Sequence, residues 1–289
     1  MLKEYAFHDT DHRGTIDRVY YTVKAAEGEA IEKYANIYLP CGYDRTDAGR
    51  RYDILYLMHG GQGNPDSWLD SCLMKNMLDC CFAEKAAEPF IVVFPSYYRH
   101  VPVTVGPAHM ENERQLTYDF ASETVKFLLP AVESHVRGWA DATDDAGLRA
   151  SRRHRAFGGF SMGAVTTWFE FLRNLPYFAA FLPLSGDCWA VEPLGGNTRP
   201  VETANELARA VESSGMCGDD FRIFAATGTE DSAFENTAAQ IEEMKRLPVF
   251  RFSEDLTEGN FHYKVAQGAV HSYDCVLNYV YSYLPYLFG

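Results

Sequence analysis

"RAFGGFSMGAVTTWFEF", residues 155–171, runs from an apolar stretch through a serine flanked by glycines into a helical pattern. Its centre is Gly159-Phe160-Ser161-Met162-Gly163. A G-x-S-x-G pentapeptide between a strand and a helix is the setting of a nucleophile elbow, a sharp turn that raises a serine hydroxyl above the sheet. Glycines are needed there because a side chain at either flanking position would collide with the neighbouring strand or helix. The same letters in a plain glycine-rich turn carry no chemistry, so the surrounding pattern decides.

That pattern alternates. Residues 15–23 and 35–39 are short, β-branched and tyrosine-rich runs followed by polar loops, read as antiparallel entry strands. "RRYDILYLMHGG", residues 50–61, is a nearly unbroken apolar run ending in glycines, the mark of a parallel strand buried on both faces. Helical patterns follow at 67–85, 117–137, 162–174, 201–214, 234–246 and from 272, with strands at 89–95, 155–160, 179–184, 221–227 and 261–265 between them. The sum is an α/β chain, a three-layer sandwich with a mostly parallel central sheet and antiparallel N-terminal strands.

No internal repeat or low-complexity linker divides the 289 residues, and residues 1–289 are expected to be one domain. Three irregular segments stand out, 96–116, 138–154 and 187–200. Long loops in such a domain are often functional. The first and third follow strands, and ligands of open α/β sheets bind beyond the carboxyl ends of strands.

Composition narrows the partners. With 47% hydrophobic and 23% charged residues the chain is globular in character. Its 26 basic and 40 acidic residues give a net charge of -14, which disfavours nucleic acid and anionic membranes. No stretch approaches the ~18 apolar residues of a membrane span. "MLKEYAFHDTDHRG" lacks the apolar core of a signal peptide, so the expected location as written is cytoplasmic, the alternative being a secreted protein without its leader. Seven cysteines, at 41, 72, 80, 81, 188, 217 and 275, show no CxxC spacing. Neither a disulfide framework nor a metal site is expected, and no cofactor.

A serine hydroxyl is a weak nucleophile at neutral pH and needs a base within hydrogen-bond reach, which in turn needs an orienting acid. In the elbow architecture the chain order is Ser, acid, His. Of nine histidines only His262 and His271 follow Ser161. His271 comes just beyond a strand at the start of the last helix, whereas His262 lies inside a strand pattern, so His271 is the expected base. For the acid, "TGTED" places Glu230 and Asp231 in the loop after a buried strand. Asp231 is favoured for its shorter side chain, with Glu230 and Asp187 as competitors. The oxyanion of acyl chemistry needs two donors. One is the N–H of Met162, the residue after the nucleophile. The second belongs to the glycine loop after residue 58, with Gly61 chosen and Gly60 its neighbouring alternative.

Five motifs, "LYLMHGG", "HRAFGGFSMG", "LPLSGDCW", "ATGTED" and "GAVHSY", resemble the feruloyl esterase modules of carbohydrate esterase family one, within the esterase D-like α/β hydrolases. The resemblance runs from about Gly14 to Tyr286, with the motifs in the family's order. It implies an α/β-hydrolase fold, Ser161 as nucleophile, Asp231 as acid, His271 as base, and Gly61 and Met162 as oxyanion donors. It also implies hydrolysis of hydroxycinnamate esters on arabinose side chains of plant xylan or its oligosaccharides. Relatives deacetylate xylan, hydrolyse S-formylglutathione or transfer acyl groups between sugars, so an acetyl esterase or other small-acyl esterase or thioesterase is the alternative, and a non-catalytic carbohydrate-binding relative a remote one.

The chain departs from the family at Ala164, where many relatives have a second glycine, at Ser272-Tyr273, where some have tryptophans, and in "SYYRHVPVTVGPAHMENERQ". Aromatic residues are 14% of the chain. Trp68, Tyr97, Tyr98 and Trp189 fall near the expected active face and suit a planar phenolic acyl group. Together with Gly60 and Asp187 they are the expected substrate contacts, the competing reading being that they pack the core.

Overall fold

Side-chain alternation along the strands sorts the apolar residues into two cores, one on each face of a sheet. In the computed structural model, which describes residues 2–24, 30–98 and 109–288, the strands are β1 (Thr15–Lys24), β2 (Ala30–Leu39), β3 (Ile54–Met58), β4 (Ile91–Phe94), β5 (Arg155–Phe160), β6 (Ala180–Leu184), β7 (Arg222–Glu230) and β8 (Phe261–Val270). They lie in the order β1-β2-β4-β3-β5-β6-β7-β8. Both pairings of β2 are antiparallel and the remaining ones parallel. All five residues of β3 are buried, Ile54, Tyr56 and Met58 in one core and Leu55 and Leu57 in the other. Burial on both faces is why the central strands read as unbroken apolar runs.

The helices among the described residues are α1 (Ser67–Asp70), α2 (Met74–Ala83), α3 (His109–Glu123), α4 (Leu129–His135), α5 (Asp145–Ala150), α6 (Met162–Asn174), α7 (Gly195–Thr198), α8 (Pro200–Ser214), α9 (Phe234–Met244) and α10 (Tyr273–Tyr283). Phe120 of α3, Trp168 of α6, Leu207 of α8 and Ile241 of α9 pack in the core on one face. Met77 of α2 and Val280 of α10 pack in the core on the other. This is the expected three-layer α/β arrangement with antiparallel strands at its N-terminal edge.

Local signals mark several boundaries. Ser272 caps α10 by accepting the Cys275 N–H, Pro200 opens α8, and Gly215, at φ +73°, closes it. Other boundaries differ from the sequence reading. The helix expected over 67–85 breaks at residues 71–73. The helix expected to begin at 117 begins at His109 and reaches His135 through a π-helical turn at Thr124–Leu128. The reason is Glu113, a charged residue at an inward position that interrupts the apolar periodicity. Of the segment 96–116, residues 99–108 lie outside the described residues. The segments 138–154 and 187–200 contain α5 and α7.

The strand expected over 261–265 continues to Val270, and β7 continues to Glu230. Their outer halves lack clean alternation because the ladder shifts register between Gly228 and Glu230. Thr229 Oγ accepts the N–H of Gly268, which sits at φ +73°. The extension ends with Glu230 paired to Val270, so the next residues of the two strands, Asp231 and His271, emerge side by side.

Candidate active site

Ser161 stands between β5 and α6 at φ +58°, ψ −117°, a strained conformation for a residue with a side chain. Tertiary bonds impose it. The Ser161 N–H donates to Leu184 O at 3.0 Å, and Ser161 O accepts from the amides of Ala164 and Val165. A Cβ on Gly159 would lie 2.5 Å from Gly163 O, and one on Gly163 would lie 2.5 Å from Met58 O. The pentapeptide's glycines are therefore places where backbone meets backbone. Gly163→Ala is expected to lower stability by about 1–3 kcal/mol, read as a reduced urea midpoint, and to lower activity with it because the collision is with the end of β3. Ala164 is buried, and a Cβ added to Gly186 would stand 2.8 Å from its own, so a side chain at 186 would collide with it.

His271 reaches Ser161 from the end of β8. Ser161 Oγ lies 2.9 Å from His271 Nε2, and His271 Nδ1 lies 2.7 Å from Asp231 Oδ1. A carboxylate only accepts, so Nδ1–H donates to Asp231 and leaves Nε2 to accept the serine proton. The His271 side chain is 28% exposed, while Asp231 is buried. Burial pushes the Asp231 carboxyl up, but the bonds from His271 and from the Ala233 N–H, at 2.8 Å, outweigh it and hold it below the usual carboxylate range.

The competitors fall elsewhere. Glu230, the last residue of β7, faces solvent. Asp187 accepts from Trp189 Nε1 at 3.1 Å and Gly196 N–H at 2.8 Å, and burial pushes it up to about 6. His262 is buried against Phe224, with Nδ1 3.0 Å from Ser253 O, and burial lowers its pKa.

The register Met58↔Gly159 carries the loop after β3 alongside Ser161 and Met162. The Gly60 N–H is taken by Tyr273 Oη at 3.1 Å. Gly61 is adjacent to Met162, whose Cγ would be 3.3 Å from a Cβ placed on it. Met162 opens α6, so its N–H has no partner one turn back in the helix. The two amides are thus suited to an anion at the positive end of the helix dipole.

Among the expected substrate contacts the structure makes corrections. Trp68 is 1% exposed and donates its indole N–H to Met58 O at 3.0 Å. Tyr97 is buried with its hydroxyl on Glu113. Asp187 ties down the loop at Gly196, and Trp189 packs on Val165 and Phe169. These four side chains are buried and engaged within the protein. The sequence reading missed His59, which donates Nδ1–H to Gly60 O at 2.7 Å and accepts from Ser96 Oγ at 2.8 Å. Burial lowers it to about 4 and keeps it neutral. Only the adjacency of His59 to the glycines hinted at this.

A serine, a histidine and a buried aspartate hydrogen-bonded in series at the carboxyl ends of a mostly parallel sheet define an α/β hydrolase. The chain belongs to the family described as "Putative esterase", which it matches over residues 32–285. It is 40% identical over 257 residues to endo-1,4-beta-xylanase Y of Acetivibrio thermocellus, covering 89% of this chain and 22% of that protein. It is 29% identical over 195 residues to an endo-1,4-beta-xylanase/feruloyl esterase of Xylanibacter ruminicola, covering 66% of this chain and 24% of that protein. The chain thus spans about a quarter or less of these relatives. Among solved structures, a serine-to-alanine mutant of the feruloyl esterase module from Clostridium thermocellum, complexed with sinapinate, superposes with a TM-score of 0.82 at 36% identity. That match covers 99% of this chain and 94% of the other.

Proposed function

We propose that this chain is a serine esterase that cleaves hydroxycinnamate esters, of the feruloyl type, on arabinoxylan or its oligosaccharides through an acyl-enzyme. The observation that carries the chemistry is the relay of 2.9 and 2.7 Å from Ser161 through His271 to Asp231. In this reading Ser161 Oγ attacks the ester carbonyl while His271 Nε2 takes its proton. The tetrahedral oxyanion is received by the Gly61 and Met162 amides. His271 then protonates the departing sugar alcohol, and water activated by the same imidazole releases the acid. Asp231 holds the tautomer and balances the imidazolium. The substrate class rests on the feruloyl esterase relatives, one of them holding sinapinate.

The test is a panel of methyl ferulate, methyl sinapate, methyl p-coumarate and acetylated xylo-oligosaccharides on the purified protein, with and without an acceptor sugar. The expected result is hydrolysis of the hydroxycinnamates with kcat/KM at least about tenfold above the acetyl esters, unchanged by the acceptor. Turnover of acetyl esters or thioesters alone would overturn the substrate class and leave the serine mechanism in place.

A further inference from the structure

Two tyrosine hydroxyls hold the loop after β3, one on each side of Gly61. Gly60 N–H donates to Tyr273 Oη at 3.1 Å, and Gln62 N–H donates to Tyr98 Oη at 2.9 Å. Gln62 sits at φ +61°, a conformation that a residue with a side chain adopts only when its surroundings impose it. With both neighbouring amides engaged, the Gly61 peptide has little freedom to rotate, and its added Cβ would be 3.3 Å from Met162.

Each tyrosine is itself anchored. Tyr98 Oη–H donates to Glu113 Oε1 at 2.8 Å, and Tyr97 Oη–H donates to Oε2 of the same carboxyl at 2.9 Å. Glu113 is 2% exposed. An acceptor that draws the phenol proton makes the phenol oxygen a stronger acceptor in turn, which tightens the bond from Gln62. Tyr273 lies edge-on to Trp68 and Phe160, with ring centroids 5.0 and 4.9 Å away. It follows His271 by two residues, so the segment that presents the imidazole also fixes Gly60. This is the task that burial leaves to Trp68 and Tyr97.

We infer that Tyr98 and Tyr273 are positioning residues that aim the Gly61 N–H at the oxyanion, with the buried Glu113 reinforcing the Tyr98 side. The inference rests on the esterase reading above. Tyr98→Phe and Tyr273→Phe each remove one oxygen and keep the ring. Each is expected to lower kcat on methyl ferulate about tenfold, and the pair about a hundredfold, with KM within about twofold. Glu113→Gln, which keeps the size and removes the charge, is expected to show a smaller loss of kcat. A styrylboronic acid, which forms a tetrahedral anion on the serine, should bind the tyrosine variants more weakly in proportion to kcat/KM, while ferulate binding stays unchanged. A merely structural role would move both ligands together. Active wild-type protein with both single variants within about twofold of its kcat, or with equal losses of boronate and ferulate affinity, would overturn the clamp alone. Wild-type protein that turns over no ester would overturn the esterase reading and the clamp with it.

Discussion

Ser161→Ala is expected to lower kcat on a hydroxycinnamate ester by about 10⁴ to 10⁶. The size follows from what is removed. The Oγ is the one atom within 2.9 Å of His271 Nε2 in the relay, and without it no covalent intermediate forms. The substitution removes one oxygen at a site where Cβ is already present, so the strained elbow, the Gly61 and Met162 amides and the fold should persist. Ferulate binding should therefore stay close to that of the wild type. Intact-mass spectrometry of acid-quenched reactions checks the same point, with an acyl adduct expected on the wild type and none on the variant. A variant that keeps a tenth or more of wild-type kcat would remove Ser161 from the mechanism.

Asp231→Asn is expected to cost about 10³ to 10⁴ in kcat at neutral pH. Asp231 Oδ1 accepts from both His271 Nδ1–H and the Ala233 N–H, so an amide placed there keeps the shape and changes the donor inventory. With an amide N–H turned toward Nδ1, the imidazole carries its proton on Nε2 and no longer accepts from Ser161. The pH dependence has a definite sign. A carboxyl held below its ordinary value stabilises the fold above about pH 4, and that contribution is lost as pH falls through the lowered value. The Tm difference between wild type and Asp231→Asn should be present at neutral pH and shrink in acid. A difference that grew on acidification would contradict the assigned direction, and kcat within about tenfold of wild type would contradict the role.

The layer order was legible because it is local. The apolar run at Ile54–Met58 announces a strand covered on both faces, and the glycines around Ser161 announce a turn in which backbone lies against backbone. Ser161, Asp231 and His271, named from spacing and chain order, are the three residues that the strand ends bring into one hydrogen-bonded series. The aromatic residues were not legible in the same way. Trp68, Tyr97 and Trp189 have the composition of a ligand wall, yet each is buried with its polar atom bonded or its ring packed inside. Position near a strand end does not reveal which way a ring turns. The early start of α3 was hidden for a related reason, since Glu113 looks like a surface residue until two tyrosine hydroxyls are placed upon it.

The sequence by itself determined the three-layer α/β architecture, the elbow at Ser161 and the order serine, acid, histidine, because strand period, turn chemistry and glycine requirements are properties of consecutive residues. The sequence favoured Asp231 over Glu230 and Gly61 over Gly60, and tertiary structure supplies the geometry behind those choices. The pairing Glu230↔Val270 sets Asp231 beside His271 and leaves Glu230 in solvent, and the hydroxyls of Tyr98 and Tyr273 engage the amides on either side of Gly61. Those outcomes depend on the register between strands whose paired residues lie far apart in the chain, as Met58↔Gly159 and Glu230↔Val270 do, and a one-residue slip of a strand turns every side chain to the other face.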